Sequence, residues 1–122
     1  MVLVRLLTVK AVYAILLKLE ERREIEVGAL GETSFPAGMY VYVGSAMKSV
    51  EKRVERHFSQ VENLHWHIDY FSAEADAADF LVVPEESEFE CVLADAVSQL
   101  GEAVPGFGSS DCDCPAHLFH VE

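Results

Sequence analysis

The sequence lacks positive charge throughout its second half. All nine lysine and arginine residues lie within residues 1–56, whereas residues 57–122 contain fourteen acidic residues and neither cation. The formal charges of these two parts are +2 and −14, and that of the chain is −12. Such a surface disfavours extended contact with nucleic acid, because phosphates are bound mostly by lysine and arginine. A nucleic-acid partner would have to be bound locally, with help from a second domain or protein.

Long apolar runs and an even set of cysteines are also missing. No apolar run approaches the roughly 20 residues that a membrane-spanning helix needs, so we expect no membrane partner. The first 19 residues contain Arg5, Lys10 and Lys18 and lack a small-residue cleavage site, which predicts structure and not a signal peptide. Three cysteines in such a chain indicate a reducing compartment, and we expect a cytoplasmic protein.

The apolar content is sufficient for a folded core. The chain has 122 residues, of which 51% are hydrophobic, and it shows no repeat or low-complexity linker. A chain of this size buries about two-thirds of its unfolded surface on folding. We therefore predict a single domain over residues 1–122.

The segment Tyr40–Phe58, YVYVGSAMKSVEKRVERHF, carries the clearest pattern. Its aromatic and β-branched start predicts a strand that ends in a glycine turn. The period then changes to that of a helix, whose apolar positions are Met47, Val50, Val54, Phe58 and Val61. Arg53 and His57 form an i,i+4 pair beside these positions, and Arg56 lies further round the same side. This helix is the basic segment that could bind a phosphate.

The remaining pattern predicts an α+β fold. Further strands are expected at residues 9–19, 24–27, 65–71, 78–83 and 117–121, turns at 30–33 and 35–38, and a second helix from Phe89 to Leu100. Residues 9–44 should form an antiparallel hairpin with an elaborated connection. The fold class is a small antiparallel β-sheet with flanking helices and a C-terminal cysteine-containing tail.

Several motifs together resemble a known superfamily. AVY (residues 11–13), YVG (42–44) and the arginine of the next helix resemble the GIY-YIG endonucleases. More narrowly, the chain resembles a small GIY-YIG-like family catalogued as domain of unknown function 123, some of whose members are fused to endonuclease III. The segments that carry this resemblance are YVYVGSA (40–46), RVERH (53–57), HWHIDY (65–70), EC (90–91) and GFGSSDCDCPAHLF (106–119). Two departures stand out: Ala11 replaces the first motif's glycine, and 28 residues separate Tyr13 from Tyr42.

The resemblance implies a metal-dependent mechanism. Tyr13, Tyr42, Arg53 and His57 match catalytic positions of the superfamily, and Glu90 matches its metal-binding glutamate. In that chemistry a divalent cation, Mg²⁺ or Mn²⁺, neutralises a phosphate oxygen. A tyrosine takes a proton from the attacking water, and the arginine stabilises the charged transition state.

Each of these residues also has a structural interpretation. Tyr13 and Tyr42 could be strand aromatics that pack across a hairpin. Arg53 could be a solvated helix charge. Glu90 completes an S-x-x-E capping box that begins at Ser87, a role that stabilises a helix and needs no metal.

The motif HWHIDY is a second candidate cluster. As a strand it would place His65, His67 and Asp69 on one face and its apolar residues on the other. Two imidazoles and a carboxylate could hold a metal. We favour a polar network that joins the strand to neighbouring loops, because residues i, i+2 and i+4 on a flat strand splay apart.

The tail is a third candidate cluster. Cys112, Cys114 and His117 are zinc-ligand types, and Cys91 could be a fourth ligand. The alternatives are three thiols that order a glycine-rich loop, or a redox-labile pair of Cys91 with Cys112 or Cys114. We favour thiols or a disulfide over zinc, because CxCxxH is an unusual zinc spacing.

The sequence therefore predicts a metal-dependent, nuclease-like domain that cleaves or processes nucleic-acid phosphodiesters. Nucleic acid would be bound through the helix that carries Arg53 and Arg56. The alternative is a catalytically inactive module of the same fold that binds nucleic acid or a protein partner. A fused repair domain, as in some relatives, is one such partner.

Overall fold

The computed structural model describes residues 11–46, 50–58, 67–83, 89–108 and 116–122. The elements in chain order are β1 (Ala11–Leu19), β2 (Arg23–Val27), β3 (Gly31–Phe35), β4 (Gly38–Ala46), α1 (Val50–Phe58), α2 (His67–Ser72), β5 (Asp76–Val83), α3 (Phe89–Ser98), β6 (Glu102–Ala103) and β7 (Leu118–His120). No helix within the described ranges has the length and apolar character needed to span a bilayer.

Five strands form one antiparallel sheet in the order β5-β1-β4-β7-β6. The two longest strands, β1 and β4, are neighbours at its centre, and their register places Tyr13 opposite Gly44. The strands β2 and β3 pair separately as a hairpin within the long β1–β4 connection. The predicted α+β class with an antiparallel sheet and flanking helices is confirmed.

The two faces of the sheet carry different helices, because side chains alternate along each strand. One face, called the α1 face, presents Tyr13 and Tyr42 and is covered by α1, α2 and the β2–β3 hairpin. The opposite face, called the α3 face, presents Val12 and Val43 and is covered by α3. The buried residues of α3 that meet this face are Ala94 and Val97. The sheet is therefore sandwiched between helices, with most of the large aromatic side chains on the α1 face.

Most of the predicted elements match the structure. The turn predicted at residues 30–33 and the strand predicted for HWHIDY need correction, and one short strand was not predicted. The predicted turn at residues 30–33 overlaps β3, which pairs with β2 and buries Phe35 beside Ile25. The turn residues were predicted from glycine and polar content alone, whereas hairpin pairing and burial of one aromatic ring decide the structure. A short strand β6, which pairs with β7, was not predicted.

The motif HWHIDY was predicted as a strand, and that prediction is wrong. Residues His67–Ser72 form α2, while residues 65 and 66 lie outside the described part of the chain. Ile68 and Phe71 are both buried, and their i,i+3 spacing places them on one side of a helix. Burial of this pair against the α1 face outweighs the alternating pattern.

Tyr40 gives the fold a specific alkaline limit. The ring is fully buried, its hydroxyl donates to the Pro36 carbonyl at 2.6 Å, and it stacks on His120 at 4.6 Å. Burial disfavours the phenolate and raises the pKa of Tyr40 to about 12. The unfolded chain has an ordinary tyrosine pKa of about 10, so the native state binds the proton more tightly.

We therefore expect stability to fall as the pH rises from about 10 to about 12, and the contribution of Tyr40 to be complete below that range. Ultraviolet titration of tyrosinate in the folded protein should show a group that ionises near pH 12 and disappears in Tyr40→Phe. Full ionisation of every tyrosine of the folded protein by pH 11 would contradict the assignment.

Candidate functional site

A buried tyrosine–histidine pair lies between β1 and α1. The Tyr13 hydroxyl is 2.8 Å from His57 Nε2, and the two residues are 1% and 3% exposed. Tyr13 is on the α1 face because it alternates with Val12, and α1 brings His57 onto the same face through the buried Val54. Two residues that the sequence predicted to be catalytic are thus in direct contact.

Tyr42 completes this group, which we call the tyrosine–histidine cluster (Tyr13, Tyr42 and His57). Its ring centroid is 6.4 Å from that of Tyr13 and 5.7 Å from that of His57. Gly44 makes room for the cluster: a Cβ there would lie 2.6 Å from the Tyr13 hydroxyl oxygen. Since real Cβ atoms do not approach so closely, the glycine of the YVG motif is needed for this ring position.

The pair can move a proton between two side chains. If His57 carries its proton on Nδ1, its Nε2 accepts the hydrogen bond that Tyr13 donates. If the proton is on Nε2, the imidazole donates and the phenol oxygen accepts. Either arrangement joins a phenol directly to an imidazole, whose ring nitrogens can accept or donate a proton.

Arg53 stands one helical turn before His57 in α1. Its side chain lies outside what the structure describes, so the predicted i,i+4 pairing of Arg53 with His57 stays a prediction.

Glu90 lies on the α3 face, at the first turn of α3. One carboxylate oxygen accepts from Ser45 Oγ at 2.9 Å, and the other lies 2.9 Å from His117 Nδ1. Ser45 is opposite Val12 in the β1–β4 register and therefore belongs to this face. The structure thus places Glu90 and the tyrosine–histidine cluster on opposite faces of β4. Tyr42 belongs to the cluster on one face, and Ser45, on the other face, contacts Glu90.

The capping interpretation of Glu90 remains a prediction, because Ser87 lies outside the described residues. Both carboxylate oxygens are nevertheless engaged by Ser45 and His117. Ser45 was missed by the sequence analysis, and His117 was assigned to the tail. Their contacts with Glu90 span 45 residues of sequence in one case, and no local pattern indicates them.

A divalent cation at Glu90 would have a single protein carboxylate as its ligand among the described residues. Among the described residues there is no group of three or more His, Cys, Asp or Glu side chains that could hold a metal by itself. Mg²⁺ commonly binds proteins through one or two carboxylates and keeps several waters or substrate oxygens. The Glu90 side chain is 20% exposed, so it is not fully buried.

The residues of HWHIDY lie in different environments. Asp69 is 1% exposed and accepts from Arg56 Nε at 3.2 Å and from a second guanidinium nitrogen at 2.9 Å, so it joins α2 to α1. His67 Nδ1 accepts from the Gly108 N–H at 2.8 Å. His65 lies outside the described residues. Positions i and i+2 point in different directions on a helix. The prediction that His67 and Asp69 share a face is therefore wrong.

Cys91 follows Glu90 in α3 and is disulfide-bonded. Cys112 and Cys114 lie outside the described residues, and His117 contacts Glu90. The predicted cysteine tail and the zinc alternative therefore stay predictions.

The fold and this geometry define a class: an α+β domain with a five-stranded antiparallel sheet, a buried tyrosine–histidine cluster on one face and a polar glutamate site on the other. The sequence profile of the family described as "Domain of unknown function DUF123" matches residues 12–122, and the chain belongs to that family. No match was found among curated proteins or among solved structures.

Proposed function

We propose that the chain is a divalent-metal-dependent, nuclease-like domain of the GIY-YIG type that cleaves nucleic-acid phosphodiesters. The observation that carries the proposal is the 2.8 Å contact between Tyr13 and His57, with Tyr42 packed against both rings. Two tyrosines from the AVY and YVG motifs and a histidine of the arginine helix come together from three separate elements.

The cluster supplies an acceptor for the proton of the attacking water. A phenol with an ordinary pKa of about 10 is a weak base at neutral pH. When Tyr13 takes a proton from water, its own proton passes to His57 Nε2, so no free phenolate has to accumulate. The new bond joins the water oxygen to phosphorus, and the ester bond to the leaving oxygen breaks. The leaving oxygen departs on the side opposite the attacking water and takes its proton from solvent.

Positive charge at the phosphate would come from Arg53 and from a cation held by Glu90. The planar guanidinium stabilises charge on phosphoryl oxygens in the transition state. Glu90 would hold Mg²⁺ or Mn²⁺, and the cation's chemistry when bound is to neutralise a phosphate oxygen. Arg53 would make the local phosphate contact, because Arg56 is held by Asp69, and a fused or partner protein would add affinity.

A second candidate is a catalytically inactive module that binds nucleic acid or a protein. The burial of Tyr13 and His57 favours it, since neither side chain is more than 3% exposed. The separation of Glu90 from the cluster favours it as well. In this case the cluster is part of the core and the domain contributes only binding.

Glu90→Gln separates a cation ligand from a structural carboxylate. We expect the affinity for Mn²⁺ to fall by more than about tenfold, because the variant loses the negative charge of the ligand itself. Changes to residues that only contact a ligand already lower metal affinity about tenfold or more. Stability should change by no more than about 1 kcal/mol, because the variant's amide oxygen can still accept from Ser45. Calorimetric titration with Mn²⁺ and thermal melting measure the two quantities.

Asp95→Asn is the matched control, since Asp95 is an exposed acid on the same helix. It should bind Mn²⁺ as the unmodified chain does. Equal affinity in Glu90→Gln and in the unmodified protein would remove Glu90 from the metal site.

A further inference from the structure

Two side chains from separate elements hold the Glu90 carboxylate. Ser45 Oγ, from β4, donates to Oε1 at 2.9 Å, and His117 Nδ1, just before β7, lies 2.9 Å from Oε2. The His117 side chain is 4% exposed, whereas that of Glu90 is 20% exposed. Glu90 is therefore the more exposed of the two side chains, and both its carboxylate oxygens lie close to a protein partner.

The backbone fixes the position of the His117 ring. The His117 N–H donates to the Phe107 carbonyl at 2.8 Å, and its carbonyl accepts from the Val43 N–H at 2.8 Å. Ser45 is fixed by the β1–β4 ladder, opposite Val12. Ser45 thus belongs to a strand of the sheet, and the backbone of His117 is tied to the neighbouring strand β4 just before β7 begins.

The contacts leave the carboxylate able to bind a cation. At 2.9 Å an unprotonated Nδ1 would set its lone pair against that of Oε2, so we assign a proton to Nδ1. The ring N–H is not aimed straight at the oxygen, which makes this a close polar contact and not a linear hydrogen bond. An ionised carboxylate offers about four acceptor positions. Ser45 takes one of them, and His117 Nδ1 lies close to the other oxygen.

We propose that Ser45 and His117 are positioning residues that orient Glu90 for a divalent cation. The proposal rests on the proposed function, in which Glu90 is the ligand. Mg²⁺ requires a nearly ideal octahedral geometry, so a carboxylate held in one orientation binds it better than a freely rotating one. Neither residue touches the cation, and each acts through Glu90.

The test is direct Mn²⁺ binding by the full chain, measured by electron paramagnetic resonance and calorimetry. His117→Ala should weaken Mn²⁺ binding about 10- to 100-fold, the range typical of second-sphere changes. His117→Asn should restore most of the affinity, because its amide N–H can take the place of the Nδ1–H group. Ser45→Ala should weaken binding in the same direction and removes too little to prevent folding.

His120→Ala is the matched control. His120 is the last residue of β7, the strand that follows His117, and its ring stacks on Tyr40. Its removal should therefore lower the melting temperature and leave Mn²⁺ affinity unchanged. A purely structural role of His117 would give the same pattern as this control.

These measurements test the positioning role and the metal site separately. If the unmodified chain binds Mn²⁺ and the folded His117→Ala and Ser45→Ala variants bind it equally well, the positioning role is wrong and the metal site stands. If the unmodified chain binds no Mn²⁺, or binds it as Glu90→Gln does, the metal site itself is wrong and the positioning role falls with it.

Discussion

Arg53→Ala is expected to lower Mg²⁺- or Mn²⁺-dependent phosphodiester cleavage by about 10²- to 10³-fold, the usual effect of removing one preorganised charge from a transition state. Arg53 lies in α1, one turn before His57. Thermal stability should stay nearly unchanged if the guanidinium serves the phosphate. Single-turnover cleavage of labelled substrate, with a melting curve for each protein, measures both quantities.

Lys52→Ala is the control for charge. Lys52 precedes Arg53 in the same helix, and its side chain is exposed, so this variant removes one positive charge from α1. We expect a loss of less than about tenfold, because a surface charge contributes mainly to screened, long-range attraction. Cleavage by Arg53→Ala at the unmodified rate would contradict the catalytic role, and a large loss of stability would assign Arg53 to a structural ion pair.

Arg56→Met is expected to lower the free energy of unfolding by about 3 kcal/mol or more, because it removes the charged partner of a buried carboxylate. Arg56 contacts Asp69 through two nitrogens at 3.2 and 2.9 Å, and the Asp69 side chain is 1% exposed. For a domain of this size the melting temperature should fall by about 10 °C or more. Urea denaturation at neutral pH gives the free energy directly.

Two further variants sharpen this measurement. Arg23→Met removes an exposed arginine whose ion pairs are 3.9 Å long, and it should cost less than about 1 kcal/mol. The double variant Arg56→Met with Asp69→Leu should be less destabilised than the sum of its parts, since it leaves no buried charge behind. A cost for Arg56→Met as small as that for Arg23→Met would show that the buried pair contributes little.

The sequence predicted the central strands because their signal is local. β1 (AVYAILLKL) is apolar except for one lysine, β4 contains the run YVYV, and each strand spans nine residues. In contrast, α2 has six residues, fewer than two full turns, so helical and alternating patterns cannot be distinguished there. Its burial of Ile68 and Phe71 against distant aromatics decided the structure, and that contact is absent from the local pattern.

The candidate site was predicted in part for a similar reason. The resemblance named Tyr13, Tyr42 and His57, and the structure brings these three together. The contact depends on the register that places Tyr13 opposite Gly44, although 28 residues separate Tyr13 from Tyr42, and no short motif encodes that register. The partners of Glu90 come from β4 and from the start of β7, so only the folded sheet identifies them.

We propose that this chain cleaves phosphodiesters with a divalent cation. The most direct test incubates the full chain with end-labelled DNA and RNA, each as single strand, duplex and branched duplex, in Mg²⁺, in Mn²⁺ and in EDTA. We expect defined cleavage products from at least one substrate with Mg²⁺ or Mn²⁺, and no cleavage products in EDTA. A folded protein that leaves every substrate intact in both metals would contradict the claim and favour the inactive binding module.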